Sequence, residues 1–257
     1  RAKPSPSISS HSLVGLAKRR APVSVIVDLA HSCVWKGETI SPALLALVLD
    51  QFLVARRPKD VVFLHERFSQ LGIQRNETTE RLYLEALSSE KRVEDVIAHF
   101  NTLTREGLAS ARLTNVYLQC LCDAGRADFA CDRLLSFTNS NMPHDAGSFS
   151  IVLRGLSLRG SIDRMHTLLE RMQRKHMSSD VHVLTSFLKA WCVRGYWSQA
   201  YQAWKDVLTQ CGNDSGYCEG LAAFTIACDA FIRNGMYTLA QNVLNDVKEV
   251  GIVFDHV

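Results

Sequence analysis

The sequence predicts an all-α chain: an α-solenoid superhelix of about seven antiparallel helix-turn-helix repeats, each about 35 residues long. Three observations predict it. Apolar residues recur with helical period, as in Leu44, Leu45, Val48, Leu49 and Phe52. Glycines recur at Gly125, Gly160, Gly195 and Gly235, spaced 35, 35 and 40 residues apart. Helix breakers are scarce, with 6 Pro and 14 Gly in 257 residues, and so are β-rich runs bounded by turn signals. That length is large for one globular core but ordinary for an array, which grows by adding neighbours.

The glycines sit in segments that align: CDAGRADFA ending at Ala130, LRGSIDRM at Met165, VRGYWSQA at Ala200 and RNGMYTLA at Ala240. A glycine fits where a first helix must end in a left-handed turn, because it carries no Cβ. Five residues on, a small side chain lets the second helix cross close to the first. Ala130, Ala200 and Ala240 suit that place better than Met165.

A second landmark closes the units. GIQRN (72–76), NMPHD (141–145), HMSSD (176–180) and GIVFD (251–255) each end in Asn or Asp, residues that cap the next helix. The register gives a basic, Ser-rich leading segment, 1–7, and one solenoid, 8–256. Its units are 8–42, 43–77, 78–111, 112–146, 147–181, 182–221 and 222–256. The five extra residues of 182–221 fall in CGNDSGYCEG, read as a surface loop at about 211–220. The first unit is the least periodic, though Gly37 and Ser41-Pro42 keep phase.

Composition narrows the function. The formal charge is +3, which permits a polyanionic partner without demanding one. Arg1, Lys3, Lys18, Arg19 and Arg20, with no acid among the first 20 residues, suit the remnant of an organelle transit peptide; a solvated tail is the alternative. The chain does not begin with Met, and its last unit lacks a polar capping helix, so it is expected to continue or to have that end covered by a partner. No run of 18 apolar residues exists, so no membrane insertion is expected.

The eight cysteines, Cys33, Cys120, Cys122, Cys131, Cys192, Cys211, Cys218 and Cys228, lack disulfide-framework spacings and read mostly as buried thiols. Cys211 and Cys218 flank the loop, but no nearby His completes a metal site. None of the nine histidines forms HExxH, and no phosphate-cradling Gly-rich loop is present. No enzyme activity, cofactor, metal or small-molecule substrate is therefore expected. Trp197, Tyr201 and Trp204, spaced i, i+4, i+7, read as packing between repeats.

Arg159, Arg194 and Arg233 stand just before the turn glycines of three successive units. They form either a phosphate-binding ladder along one edge or cations that stabilise helix C-termini.

The segments GSFSIVLRGLSLRGSIDRMHTLLERMQRKHMSSD and RLTNVYLQCLCDAGRADFACDRLLSF resemble the pentatricopeptide-repeat pattern. In that pattern an apolar or aromatic residue precedes Asn, Ser or Thr early in the first helix, followed by Gly-Leu-Cys, Gly-Arg and Ala. The resemblance is fullest over 112–256 and partial over 43–111. The tetratricopeptide pattern, with its Trp and terminal Pro, is not seen.

The resemblance implies binding of single-stranded RNA along the concave inner-helix face, one base per repeat, through the early polar residue and the last Asn or Asp. On this sequence Asn115 with Asp145 resembles a uracil reader. Ser150 with Asp180 and Thr225 with Asp255 resemble guanine readers, and Thr185 has no clear second member. The earlier pairs, His11 with Ser41, Ala46 with Asn76 and Arg81 with Ala111, depart from the pattern. Phe149 and Phe224 are the only aromatics next to the reading positions, with Thr114 and Leu184 in their place elsewhere, so base stacking is expected to be weak.

The expected role is thus a non-catalytic RNA-binding factor of organellar RNA metabolism or translation, in the mitochondrial matrix or a plastid. The alternative is a structural adaptor in a ribonucleoprotein such as the mitochondrial ribosome, contacting ribosomal RNA phosphates and neighbouring proteins.

Overall fold

The computed structural model describes residues 22–35, 40–140, 142–174, 181–211 and 217–250. Thirteen helices and no strand occur among them. They are α1 (Val23–Trp35), α2 (Pro42–Val54), α3 (Pro58–Gln70), α4 (Glu77–Ser89), α5 (Val93–Arg105), α6 (Ala111–Asp123) and α7 (Ala127–Asn139). There follow α8 (Ala146–Arg159), α9 (Ile162–Arg174), α10 (Val181–Arg194), α11 (Trp197–Cys211), α12 (Tyr217–Arg233) and α13 (Tyr237–Val250). The fold is an all-α solenoid of helical repeats. The leading segment 1–7 and the first part of unit 8–42 lie outside the described residues.

Three first helices start where side chains satisfy the free amides of a first turn. Ser41 accepts from Leu44 N, with Pro42 in the first turn of α2. Asn76 and Asp145 each form a capping box, with Thr79 and Ser148 respectively. First helices end at Gly125, Gly160, Gly195 and Gly235, all at positive φ between 63° and 74°. Arg56 (φ 57°) and Lys91 (φ 58°) hold the same slot at the ends of α2 and α4. In all of them the turn residue's N–H bonds three residues back and the next N–H bonds five back, as in Gly160 to Ser157 and Ser161 to Leu156. Recurrence of the turn therefore reaches two units further towards the N-terminus than the glycines show.

The chain divides into two compact units, one through Cys120 and one from Leu121. In the first, α2 packs on α3 and α4, α1 on α3, and α4 on α5. Its core holds Leu45, Leu49, Phe52, Leu64, Phe68 and Phe100, the last stacked on Tyr117 with ring centroids 4.1 Å apart.

In the second unit, the first helices α8, α10 and α12 pack successively side by side. The second helices pair as α7 with α9 and as α11 with α13. Met165 is fully buried, as are Ala130 and Ala200. Trp204 is buried as well, and its Nε1 donates to Asp246 Oδ2 at 3.1 Å. Tyr201 Oη donates to the same oxygen at 3.0 Å. The aromatic cluster of unit 182–221 thus packs between α11 and α13, as its spacing implies.

The loop expected at about 211–220 is shorter on the described side than the sequence implies. Cys211 closes α11, and residues 217–220 are already the first turn of α12. Burial explains the extension. Gly220 is buried, and a Cβ there would stand 3.2 Å from Cys211 Sγ, so the missing side chain lets this turn lie against the end of α11.

Candidate nucleic-acid interface

The candidate site lies in the second compact unit, on first helices alone. A cavity of about 370 Å³ opens between α8, α10 and Ile226 of α12. Ser150 and Thr185, the positions expected from sequence to read bases in successive repeats, both line it. One helical turn after each stands a cation, Arg154 on α8 and Lys189 on α10, also on the wall. His182 and Ser186 add polar groups, while Ile151, Leu153 and Val183 supply apolar surface. A cavity of this size with convergent polar groups on an apolar wall can take up a small organic group.

The hydroxyls are oriented by their own helices. Ser150 Oγ donates to Ala146 O at 3.2 Å, Thr185 Oγ1 to Val181 O at 2.7 Å and Ser186 Oγ to His182 O at 2.9 Å. Thr225, exposed on α12, donates likewise to Leu221 O at 2.9 Å. A hydroxyl whose proton is used this way presents lone pairs outward, so what it meets on a ligand is an N–H donor.

The other sequence-derived residues are placed variously. Asp145 is exposed at the N-terminus of α8, and its Oδ1 accepts from Ser148 N at 3.0 Å. Asn115 is half-buried on α6, within the unit that ends at Cys120. Asp180 and Asp255 lie outside the described residues. Phe149 is not a stacking surface: it is fully buried, edge-on to His144. Phe224 is half-buried, with its ring centroid 6.2 Å from that of Trp204. Thr114, at the same phase, is fully buried. The residue before each reading position therefore points into the core. His182, three residues before Thr185, lines the cavity.

The edge arginines make structural bonds. Arg194 Nε donates to Gly160 O at 2.7 Å, and Arg159 Nη1 donates to Gly125 O. Each cation thus caps the helix end of the preceding repeat, where carbonyls gather partial negative charge. Arg159 also stands 3.5 Å from Asp128, and Arg233 Nε stands 2.7 Å from Asp229.

Nothing in the sequence pattern pointed to a second polar cluster, in the other compact unit. Glu80, on α4 and only 2 % exposed, meets His65 Nε2 of α3 at 3.1 Å and His99 Nε2 of α5 at 2.6 Å. Arg75 Nε stands 3.6 Å away, and Tyr83 stacks on His65 with centroids 4.1 Å apart. Burial alone would raise the Glu80 pKa. The hydrogen bonds from both imidazoles, and their charge, outweigh it and hold the carboxyl down at about 2. Glu80 is therefore an acceptor, and both rings carry their proton on Nε2. The cluster joins α3, α4 and α5.

Among the described residues, no group of three His, Cys, Asp or Glu is arranged to hold a metal ion. Cys122, Cys131, Cys192 and Cys228 are free thiols. Burial pushes Cys122 up to about 12, and Cys192 and Cys228 to about 11, so they stay protonated and unreactive near neutrality. No described helix is long and apolar enough to cross a membrane.

A sequence model of the PPR, or pentatricopeptide, repeat matches residues 147–177, the hairpin of α8 and α9. No curated protein matches the chain. Among solved structures, the chain is similar to the pentatricopeptide repeat protein PPR10 from maize, at 16 % identity and a TM-score of 0.57, covering 98 % of this chain and 40 % of that one. The same maize protein in complex with an 18-nt psaJ RNA element gives 17 % identity and 0.59, covering 98 % and 42 %. Nuclear proteinaceous RNase P 2 from A. thaliana gives 10 % identity and 0.53, covering 65 % of this chain and 38 % of that one. The chain thus spans about two fifths of the length of these proteins, and at such identities the likeness is one of fold. This chain is an all-α repeat solenoid that carries a pentatricopeptide repeat at 147–177.

Proposed function

We propose that the chain is a non-catalytic RNA-binding repeat protein that holds single-stranded RNA on the first-helix face of α8, α10 and α12. The observation that carries this reading is the shared cavity: Ser150 and Thr185, reading positions from adjacent repeats, open into one pocket with cations one turn away. Side-by-side helices stand about 8–10 Å apart, against about 3.4 Å between bases stacked along a duplex strand. Bases taken up by successive repeats are therefore pulled apart, which a single strand tolerates and a duplex does not. Outward-facing acceptors at Ser150, Thr185 and Thr225, with Asp145, Asp180 and Asp255 at the repeat ends and Asn115 upstream, favour bases offering imino or amino hydrogens. Arg159, Arg194 and Arg233 line the neighbouring edge, where two of them serve chiefly to join repeats. The basic, acid-free first 20 residues support a mitochondrial or plastid location. Titration of the full chain with single-stranded RNA and with duplex DNA, at several salt concentrations, tests the reading. Preference for the single strand supports it; equal affinity at every salt concentration contradicts it.

A specific observation favours a narrower RNA contact and the adaptor role for the rest of the chain. At the phase held by Arg154 and Lys189, the first compact unit carries Asp50 and Glu85, the latter 2.5 Å from Arg81. Its reading position Ala46 is buried. At this phase that face carries acids where α8 and α10 carry cations, which suits contact with other proteins of a ribonucleoprotein such as the mitochondrial ribosome. Co-purification of the native chain with ribosomal RNA and proteins supports this second role; a free monomer contradicts it.

A further inference from the structure

We infer that Arg154 and Lys189 form a two-point clamp, distinct from the edge arginines, that holds two successive backbone phosphates of nucleotides whose bases enter the cavity beside Ser150 and Thr185. The inference rests on the RNA-binding reading above. Its first support is position. Arg154 follows Ser150 by four residues on α8, and Lys189 follows Thr185 by four on α10, so each cation shares a face with its reading residue. The two cations are 35 residues apart, one repeat, and line the same cavity on directly packed helices.

The second support is contrast along the register. From the unit 43–77 onward, the same phase holds Asp50, Glu85, Gln119 and Asp229 in the other repeats, none of them cationic. Asp229 is already paired with Arg233 at 2.7 Å. Positive charge at this phase is therefore confined to the two repeats that share the cavity. A run of cations around the whole array would fit general attraction to RNA; two alone define a short anchor. The third support is chemistry. Arg159 and Arg194 donate to the carbonyls of Gly125 and Gly160 at the repeat joints, whereas Arg154 and Lys189 line the pocket itself. A guanidinium presents a fork to phosphate and an ammonium a compact charge, so the pair accepts successive phosphates without reading sequence.

The test uses the full chain with oligouridylate and oligoguanylate over a salt series. Arg154→Ala and Lys189→Ala are each expected to weaken binding to both homopolymers about tenfold and to lower the log–log salt slope by about 0.7, one single-strand phosphate contact. The ratio between the two homopolymers stays unchanged. Arg154→Lys is expected to restore the slope, and Asp229→Lys to raise it by the same step. Far-UV circular dichroism confirms that each variant is folded. An unchanged slope in Arg154→Ala and Lys189→Ala, with wild-type binding intact, overturns the clamp and leaves the RNA reading standing. Absence of binding by the wild-type chain to any single strand overturns both.

Discussion

Arg194 Nε donates to the carbonyl oxygen of Gly160 at 2.7 Å, so the turn that closes one hairpin is held by a cation of the next. A side chain that looks in sequence like a phosphate contact is part of the joint between repeats. Arg194→Ala is expected to lower stability to urea by about 1 kcal/mol, the scale of one charged hydrogen bond at a partly exposed site. The RNA salt slope is expected to move far less than in Arg154→Ala. A large loss of slope in Arg194→Ala with stability unchanged would assign this arginine to RNA instead.

The turn slot gives a prediction with two signs. Gly160 sits at φ +63°, and a Cβ there would stand 2.9 Å from Arg194 Cγ. Gly160→Ala is expected to cost at least about 1–2 kcal/mol, the ordinary penalty of a left-handed L residue. Arg56 and Lys91 already pay that penalty in the same turn. Arg56→Gly and Lys91→Gly are therefore expected to raise the melting temperature, each contributing roughly 0.5–1 kcal/mol after the added freedom of the unfolded chain is subtracted. Thermal unfolding of the three variants checks both signs.

Glu80 predicts how acid acts on the first compact unit. Its pKa is lowered from 4.5 to about 2, so the folded state binds this proton less readily than the unfolded chain. The stabilisation is complete above about pH 4.5, declines as pH falls below that, and is lost as pH passes about 2. The depression corresponds to roughly 3 kcal/mol. Urea unfolding of Glu80→Gln is expected to show lower stability near neutrality and a shallower decline over that acid window. A decline as steep as in the wild type would remove Glu80 as its source.

Asp145 separates capping from base reading. Its Oδ1 accepts from Ser148 N, a bond that asparagine can also make. Asp145→Asn is expected to keep the melting temperature and to alter preference at one base. Asp145→Ala is expected to lose about 1 kcal/mol of stability as well. Selection from a randomised RNA pool, beside thermal unfolding, distinguishes the two effects.

The architecture was legible because each repeat writes its turn locally. Gly125, Gly160, Gly195 and Gly235 announce positive φ, and Asn76 and Asp145 announce caps. Arg56 and Lys91 hid the same turn, since surrounding packing imposes the left-handed conformation on residues that do not advertise it. The misplacement of Phe149 has a helical cause: a step of one residue turns about 100° around the axis, enough to move a ring from the open face to the core. His65, Glu80 and His99 meet across 15 and 19 residues, a contact only the packing of three helices creates. Arg154 and Lys189 lay one turn from the reading positions and were readable from the period alone. The recurrence of Arg before Gly was the louder pattern, and in Arg159 and Arg194 it marks the joint between repeats.

The most direct test is photochemical cross-linking of a single-stranded RNA to the full chain, with the adducts mapped by mass spectrometry. Adducts are expected on peptides of α8 and α10, centred on Ser150 to Arg154 and His182 to Lys189. Adducts confined to the unit that ends at Cys120, or spread evenly along the chain, would contradict it.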